Sequence, residues 1–181
     1  NRMGDHATLE NAIFSLRTLM HYTLEEQDSV PLGRELELVR AYCELQRMRF
    51  GERLTFDLHA DEHAAACLVP KLLLQPLVEN AVVHGIEPRE TGGTVSVRAA
   101  VEPGATGRML RIIVSDDGVG FDPGTLGRER RVGLANVERR LQVAYAHAEL
   151  NLESEPGRGT EITIRIPVSI REPVLGAERS S

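Results

Sequence analysis

The sequence predicts an α+β fold: a mixed sheet covered on one face by helices, preceded by a helical hairpin or stem. Three observations point there. Apolar residues recur at helical spacing in two consecutive N-terminal stretches. Segments of alternating apolar and polar residues then appear, joined by glycine turns. Helical and strand patterns alternate irregularly, unlike the regular βαβ order of a doubly wound sheet.

The first helix is predicted over Ala7–Leu24, where Leu9, Ile13, Leu16, Leu19/Met20 and Leu24 form a stripe. SVPLG interrupts it, and Pro31 suits the first turn of a second helix. Leu32, Leu36, Val39, Cys43 and Met48 make its stripe, which ends near Phe50–Gly51. Leu54–His59 alternates as a strand. A helix is expected from about Val69 to His84, with Pro76 inside it, so either a kink or a later start near Leu74 follows. Thr94–Val101 and Met109–Asp116 read as strands. Asp116–Gly133 is glycine-rich and charged, the pattern of a mobile loop, and Leu134–His147 is again helical. Two strands, about Glu149–Ser154 and Thr160–Val168, flank a glycine turn, and the tail after Pro173 is polar and expected to be disordered. The implied units are 1–52 as the stem, 53–170 as the main domain and 171–181 as the tail.

At 181 residues the chain fits one domain with an extension. A net charge of −6 argues against nucleic acid as the main partner, and the scarcity of aromatics argues against base-stacking platforms. Cys43 and Cys67 lack CxxC spacing and lie in apolar stretches, so two buried free thiols in a reducing compartment are expected. No apolar run reaches the roughly 18 residues of a membrane span.

Four clusters carry chemistry. In SDDGVGFD an apolar strand delivers Asp116, with Gly118 and Gly120 permitting close backbone approach to a ligand. A carboxylate there can accept from an exocyclic amine such as adenine's; alone, the motif is also an ordinary turn. In RERRVGLANVERRL, Gly133 precedes the expected helix start, where free N–H groups favour an anion. Arg128, Arg130, Arg131, Arg139 and Arg140 concentrate positive charge around it, as a polyphosphate would need; pairing with Glu129 and Glu138 on a solvated face is the plain alternative. In EPGRGTEI, Gly157 and Gly159 surround Arg158 before Thr160 enters a strand, which by itself is a hairpin turn. In QPLVENAVVHG, Glu79, Asn80 and His84 interrupt an apolar run. Asn80 and His84 share a helix face, and a neutral amide oxygen suits Mg²⁺ that keeps phosphate and water ligands.

Taken in order, these clusters resemble the ATP-binding domain of the GHKL superfamily, which includes histidine kinases, gyrase, Hsp90 and MutL. RELELVRAYCELQRMRFGERL, VPKLLLQPLVENAVVHGI and GLANVERRLQVAYAHAELNLESEPGRGTEITIRIP resemble, more narrowly, the LytS-type sensor histidine kinases of two-component systems. The resemblance runs from about Leu16 to Pro167. It implies a Bergerat α/β sandwich with ATP and Mg²⁺ as cofactors. By its motifs Asn80 is the magnesium ligand, Asp116 the adenine acceptor, and Gly118 and Gly120 line the base pocket. Arg131 to Gly133, with Leu134, would form the hinge of a lid over ATP; Asn136, Arg139 and Arg140 would lie near phosphates, as would His84. Gly159 and Thr160 would reach the adenine side, and Glu79 is a polariser of the catalytic step.

Three departures stand out: Val83 replaces a common basic phosphate ligand, the lid lacks its first glycine, and Pro76 stands where ATP-hydrolysing members carry a water-activating Glu. The last favours a kinase over an ATPase. The phospho-acceptor histidine is expected upstream of the chain, with His6 and His21 as surface histidines. A response regulator and a homodimeric parent, cytoplasmic and anchored in the membrane by segments outside the chain, are further implications. The alternatives are a non-catalytic GHKL module used for dimerisation or partner binding, and an anti-sigma-factor-type serine kinase.

Overall fold

Burial alternates along three neighbouring strands and puts one face of a sheet into the core. In the computed structural model, which describes residues 27–104, 107–125 and 128–168, the strands are β1 (Ser29–Pro31), β2 (Leu54–Ala60), β3 (Leu68–Pro70), β4 (Gly93–Gly104), β5 (Gly107–Asp116), β6 (Glu149–Glu155) and β7 (Gly159–Val168). The helices are α1 (Leu32–Phe50), α2 (Glu62–Ala66), α3 (Gln75–Asn80) and α4 (Arg128–Ala144). Side chains at 125 and 128–132, the expected first helix with His6 and His21, and the tail lie outside the described residues.

The main sheet runs β2-β4-β5-β7-β6, with β2 and β4 parallel and the other pairs antiparallel. Val95, Val97 and Ala99 of β4, Leu110, Ile112 and Val114 of β5, and Ile162, Ile164 and Ile166 of β7 point to the helices. Leu32, Leu36, Val39, Leu77, Val78, Val137 and Leu141 complete the same core. The mixed sheet with helical cover matches the expected α+β class. The face of α1 that reads as a stripe is buried against this sheet, although Met48 at its end is exposed. Gly51, at φ 60°, ends α1 and donates its N–H to the Arg47 carbonyl.

Three local features depart from the periodicity. The helix expected from Val69 begins only at Gln75, the later of the two starts Pro76 allows. Val69 and Pro70 instead pair with Ser29 and Val30 in a two-stranded sheet. Pro76 sits in the first turn of α3, where its missing N–H costs no helical bond. Secondly, residues Ala81–Ile86 continue α3 as a π-type turn, closed by a bond from Glu87 N–H to the Val82 carbonyl at 2.8 Å. Thirdly, α4 begins at Arg128, so six residues of the expected loop are helical. A short helix over Glu62–Ala66, capped by Asp61 accepting from Ala64 N–H at 2.6 Å, was not signalled by periodicity. Cys43 is buried as expected, but Cys67, at the C-terminal end of α2, is only half-buried.

The turn between β3 and α3 carries Leu72 at φ 58°, the one positive-φ residue other than glycine among the described residues. Such a backbone costs roughly 1–2 kcal/mol. The fully buried Glu35 offsets it by accepting from the Leu72 N–H at 2.7 Å and the Leu74 N–H at 2.9 Å. Hydrogen bonds to a charged group are worth about 1.5–3 kcal/mol each, so the anchored turn wins.

Candidate nucleotide site

Asp116 occupies the position at which the alternation of β5 would place one more core residue. It is 9 % exposed. Its Oδ1 accepts from the Gly118 N–H at 2.9 Å, and its strand register sets it beside Val95 on one side and Thr160 on the other. A carboxylate has about four acceptor sites, so such a group can serve more than one donor at once.

Glycines let backbone crowd around this group. A methyl on Gly85, in the π-type turn, would collide with the Asp116 carboxylate; one on Gly118 would collide with the Gly85 backbone. The Val119 N–H donates to the Gly85 carbonyl at 2.9 Å, which ties the end of α3 to the loop after β5. Gly120 (φ 58°) packs on the Glu155 carbonyl, and Gly159 (φ 86°) on the Asp116 carbonyl. Ser154 Oγ accepts from Phe121 N–H at 3.0 Å and lies 3.1 Å from Thr160 Oγ1, so Thr160 belongs to a hydroxyl pair beneath the loop.

Above Asp116 opens a small, partly enclosed pocket. Leu77, Ala81, Val114, Phe121, Leu152 and Ile162 make it apolar, while Asp116, Asn80 and Thr160 supply its polar side chains, and Leu134 closes the α4 side. Asn80 Nδ2 lies 3.5 Å from where a methyl on Gly133 would sit, so α3 and α4 meet there. Apolar walls with one buried carboxylate and a few convergent polar groups are the chemistry of a heteroaromatic-base site.

Of the residues expected from sequence, Asn80, Asp116, Thr160 and Leu134 therefore converge on one cavity, and Gly118, Gly120 and Gly159 shape it. Others do not. Gly133 is interior to α4 rather than ahead of its start, so its N–H is not the free helix-terminal donor that was expected. The glycine run hid that helix, since isolated glycines are tolerated in a helix at a cost. Asn136, Arg139 and Arg140 are exposed on the opposite side of α4, where they line a groove with Asp28, Lys71 and Val143. Arg140 Nη1 donates to the Lys71 and Leu72 carbonyls at 3.3 Å each, instead of facing the cavity. Glu79 and His84 are also absent from its walls; Glu79 is exposed and accepts from Gln75 Nε2 at 2.7 Å. The side chains of Arg128, Arg130 and Arg131 lie outside the described residues. Gly85 and Phe121 were not anticipated; a glycine after the polar run and an aromatic within GVGF were the available signals.

Comparison with known proteins agrees with this geometry. Residues 69–170 match the family model described as histidine kinase-, DNA gyrase B-, and HSP90-like ATPase, and residues 2–54 match the one described as histidine kinase. The chain is 36% identical over 169 residues to sensor histidine kinase YpdA of Escherichia coli K12, a match covering 88% of this chain and 29% of that protein. It is 36% identical over 162 residues to sensor histidine kinase YesM of Bacillus subtilis 168, covering 88% and 27%. The chain thus spans under a third of the length of these relatives. Among solved structures it is similar to the histidine kinase domain of the Erythrobacter litoralis EL346 blue-light activated histidine kinase. There the TM-score is 0.58 and the identity 25%, over 88% of this chain and 74% of that one.

Proposed function

The chain belongs to the histidine kinase-, DNA gyrase B- and HSP90-like ATPase family, and from that premise we propose that it is the ATP-binding catalytic part of a two-component sensor histidine kinase. The observation that carries this reading is the buried Asp116 carboxylate at the base of an apolar cavity with Asn80 in its wall. Adenine fills the cavity, its exocyclic amine donating to Asp116 and its faces against Val114, Ile162 and Leu152. Thr160 holds the polar edge through its hydroxyl.

Asn80 is the residue that would hold Mg²⁺, through its amide oxygen. Among the described residues no three histidine, cysteine or carboxylate side chains gather to hold a cation. The amide donor fits an ion that takes its other ligands from phosphates and water. When bound, the ion neutralises charge on the phosphates during transfer.

The γ-phosphoryl group passes to an imidazole nitrogen of a histidine upstream of the chain: a P–N bond forms, the Pγ–O bond to the β-phosphate breaks, and ADP leaves. A response-regulator aspartate receives the group next, in a homodimeric parent whose catalytic part lies in the cytoplasm. Among the described residues no helix is long and apolar enough to cross a membrane, so an anchor would come from other segments. Pro76, four residues before Asn80, offers no carboxylate to activate water, which suits transfer to histidine over hydrolysis.

Calorimetric titration of the chain with a non-hydrolysable ATP analogue and magnesium tests the first step. Saturable binding is expected, and Asp116→Asn should weaken it roughly 10–100-fold, the worth of a hydrogen bond to a charged group. No binding by the wild type, or equal binding by the variant, overturns the reading.

A further inference from the structure

The turn between β3 and α3 is gripped from two sides. Its N–H groups at Leu72 and Leu74 point to the buried Glu35 carboxylate of α1, at 2.7 and 2.9 Å. Its carbonyls at Lys71 and Leu72 accept from Arg140 of α4. Leu74 is the N-cap residue of α3, and α3 has no side-chain cap of its own. Glu35 supplies the acceptor from a helix 39 residues earlier in the chain. It lies within the stretch matched by the histidine kinase model, whereas the turn lies within the ATPase match.

Packing within the turn itself does not define where α3 begins; the buried Leu77 and Val78 further along resist a slip, and the turn adds its own constraint. Leu72, Leu73 and Leu74 are three identical side chains in succession, so sliding the turn by one residue still leaves a leucine at the buried Leu73 position. A slip of one residue nevertheless rotates every later side chain by about 100° and moves it about 1.5 Å along the axis. Asn80 follows Gln75 by five residues on the same helix, so it would leave the cavity wall. Directional bonds from Leu72 and Leu74 discriminate between these registers, because only one places both N–H groups on one carboxylate.

We propose that Glu35 is a positioning residue: by capping α3 across the β3–α3 turn it fixes the register of that helix, and so holds Asn80 against the nucleotide cavity. The inference rests on the reading of Asn80 as the magnesium-side residue. It makes α1 the element on which the metal-dependent part of nucleotide affinity depends, while the Asp116 part does not.

The test is calorimetry of the full chain with ADP, once in magnesium and once in EDTA, alongside amide hydrogen exchange. In Glu35→Gln the gain in affinity conferred by magnesium should fall at least fivefold, with affinity in EDTA within twofold of wild type. Exchange at Leu72, Leu74 and the first turn of α3 should quicken at least tenfold, with β4, β5 and β7 unchanged. A magnesium gain kept within twofold, or equal losses in both buffers, overturns the proposal, since a merely structural role lowers both alike. Unchanged exchange overturns it too, even where wild-type chain binds no nucleotide and the functional reading itself has failed. Should the Gln variant not fold, Glu35→Asp, which keeps the charge but withdraws it by one methylene, is expected to show the same split, and full retention there is equally fatal.

Discussion

Cys43 sits on the buried face of α1, and burial pushes its thiol up from the ordinary 9.0 to about 12, against a smaller opposing effect of Arg47. Burial also raises Tyr42 next to it, with Glu79 adding to the shift. A raised pKa means that the folded state keeps a proton that the unfolded chain gives up first. The stabilisation is therefore complete below pH 9 and is lost between 9 and 12, at no more than about 1.4 kcal/mol per pH unit for one group. Urea midpoints should fall between pH 8.5 and 10.5, and Cys43→Ala should flatten that fall. Ellman's reagent should react with the half-buried Cys67 first and reach Cys43 only on unfolding. At this scale the sequence was informative where a residue broke a pattern in a visible way: Asp116 ending an apolar strand, Asn80 interrupting an apolar helix. Glu35 broke one too. It stands at i+3 from Leu32 and i+4 before Val39, on the buried stripe itself, and that spacing was the signal of a buried acid.

Among elements, the π-type turn and the loop after β5 pack closely against each other at the site. Gly118 has backbone of Gly85 where a side chain would start, and Gly85 has the Asp116 carboxylate there. Gly118→Ala should cost about 1–3 kcal/mol of stability, as overpacking does, measured by denaturant titration. Gly85→Ala should act differently, displacing a flexible carboxylate rather than backbone. Its expected signature is weaker ATP-analogue binding at nearly unchanged stability. Element boundaries were the least legible part of the sequence, and the reasons are local. Pro76 permitted two helix starts, and at the observed one the turn donates two backbone N–H groups to a carboxylate in another helix. The start of α4 was masked because Gly133 reads as a boundary, although as an interior residue it costs only about 1 kcal/mol relative to alanine. That misplacement carried the arginines with it: a helix beginning at Arg128 turns Asn136, Arg139 and Arg140 away from the cavity that Leu134 closes.

For the whole molecule, α1 is a core element of the sheet domain. Leu32, Leu36 and Val39 are at most 2 % exposed, and they share one apolar cluster with Leu73, Leu77 and the central strands. Full burial of one such side chain contributes about 1.5–3 kcal/mol, so losing several is comparable to the roughly 5–15 kcal/mol by which domains are stable. A fragment cut at residue 53, the boundary the sequence suggests, should therefore lack a cooperative thermal transition and bind the hydrophobic dye ANS. A fragment cut at residue 27 keeps all of these contacts and should melt cooperatively. Fold class was readable because apolar residues alternate along β4 and β5, whereas membership of α1 in that core was not, since an amphipathic stripe does not say which surface it covers.

The strand order has one more consequence, for the timing of synthesis. β7 lies between β5 and β6, so a late stretch of chain is inserted into the middle of the sheet. Asp116 and Thr160 are neighbours only through that insertion, 44 residues apart in sequence. While a ribosome still holds β7, β6 has no partner and the acceptor of the base has no opposite wall. Nascent chains stalled before Thr160 should therefore not be retained on immobilised ATP, and those released past Val168 should be. The cavity comes into being with the closing strand.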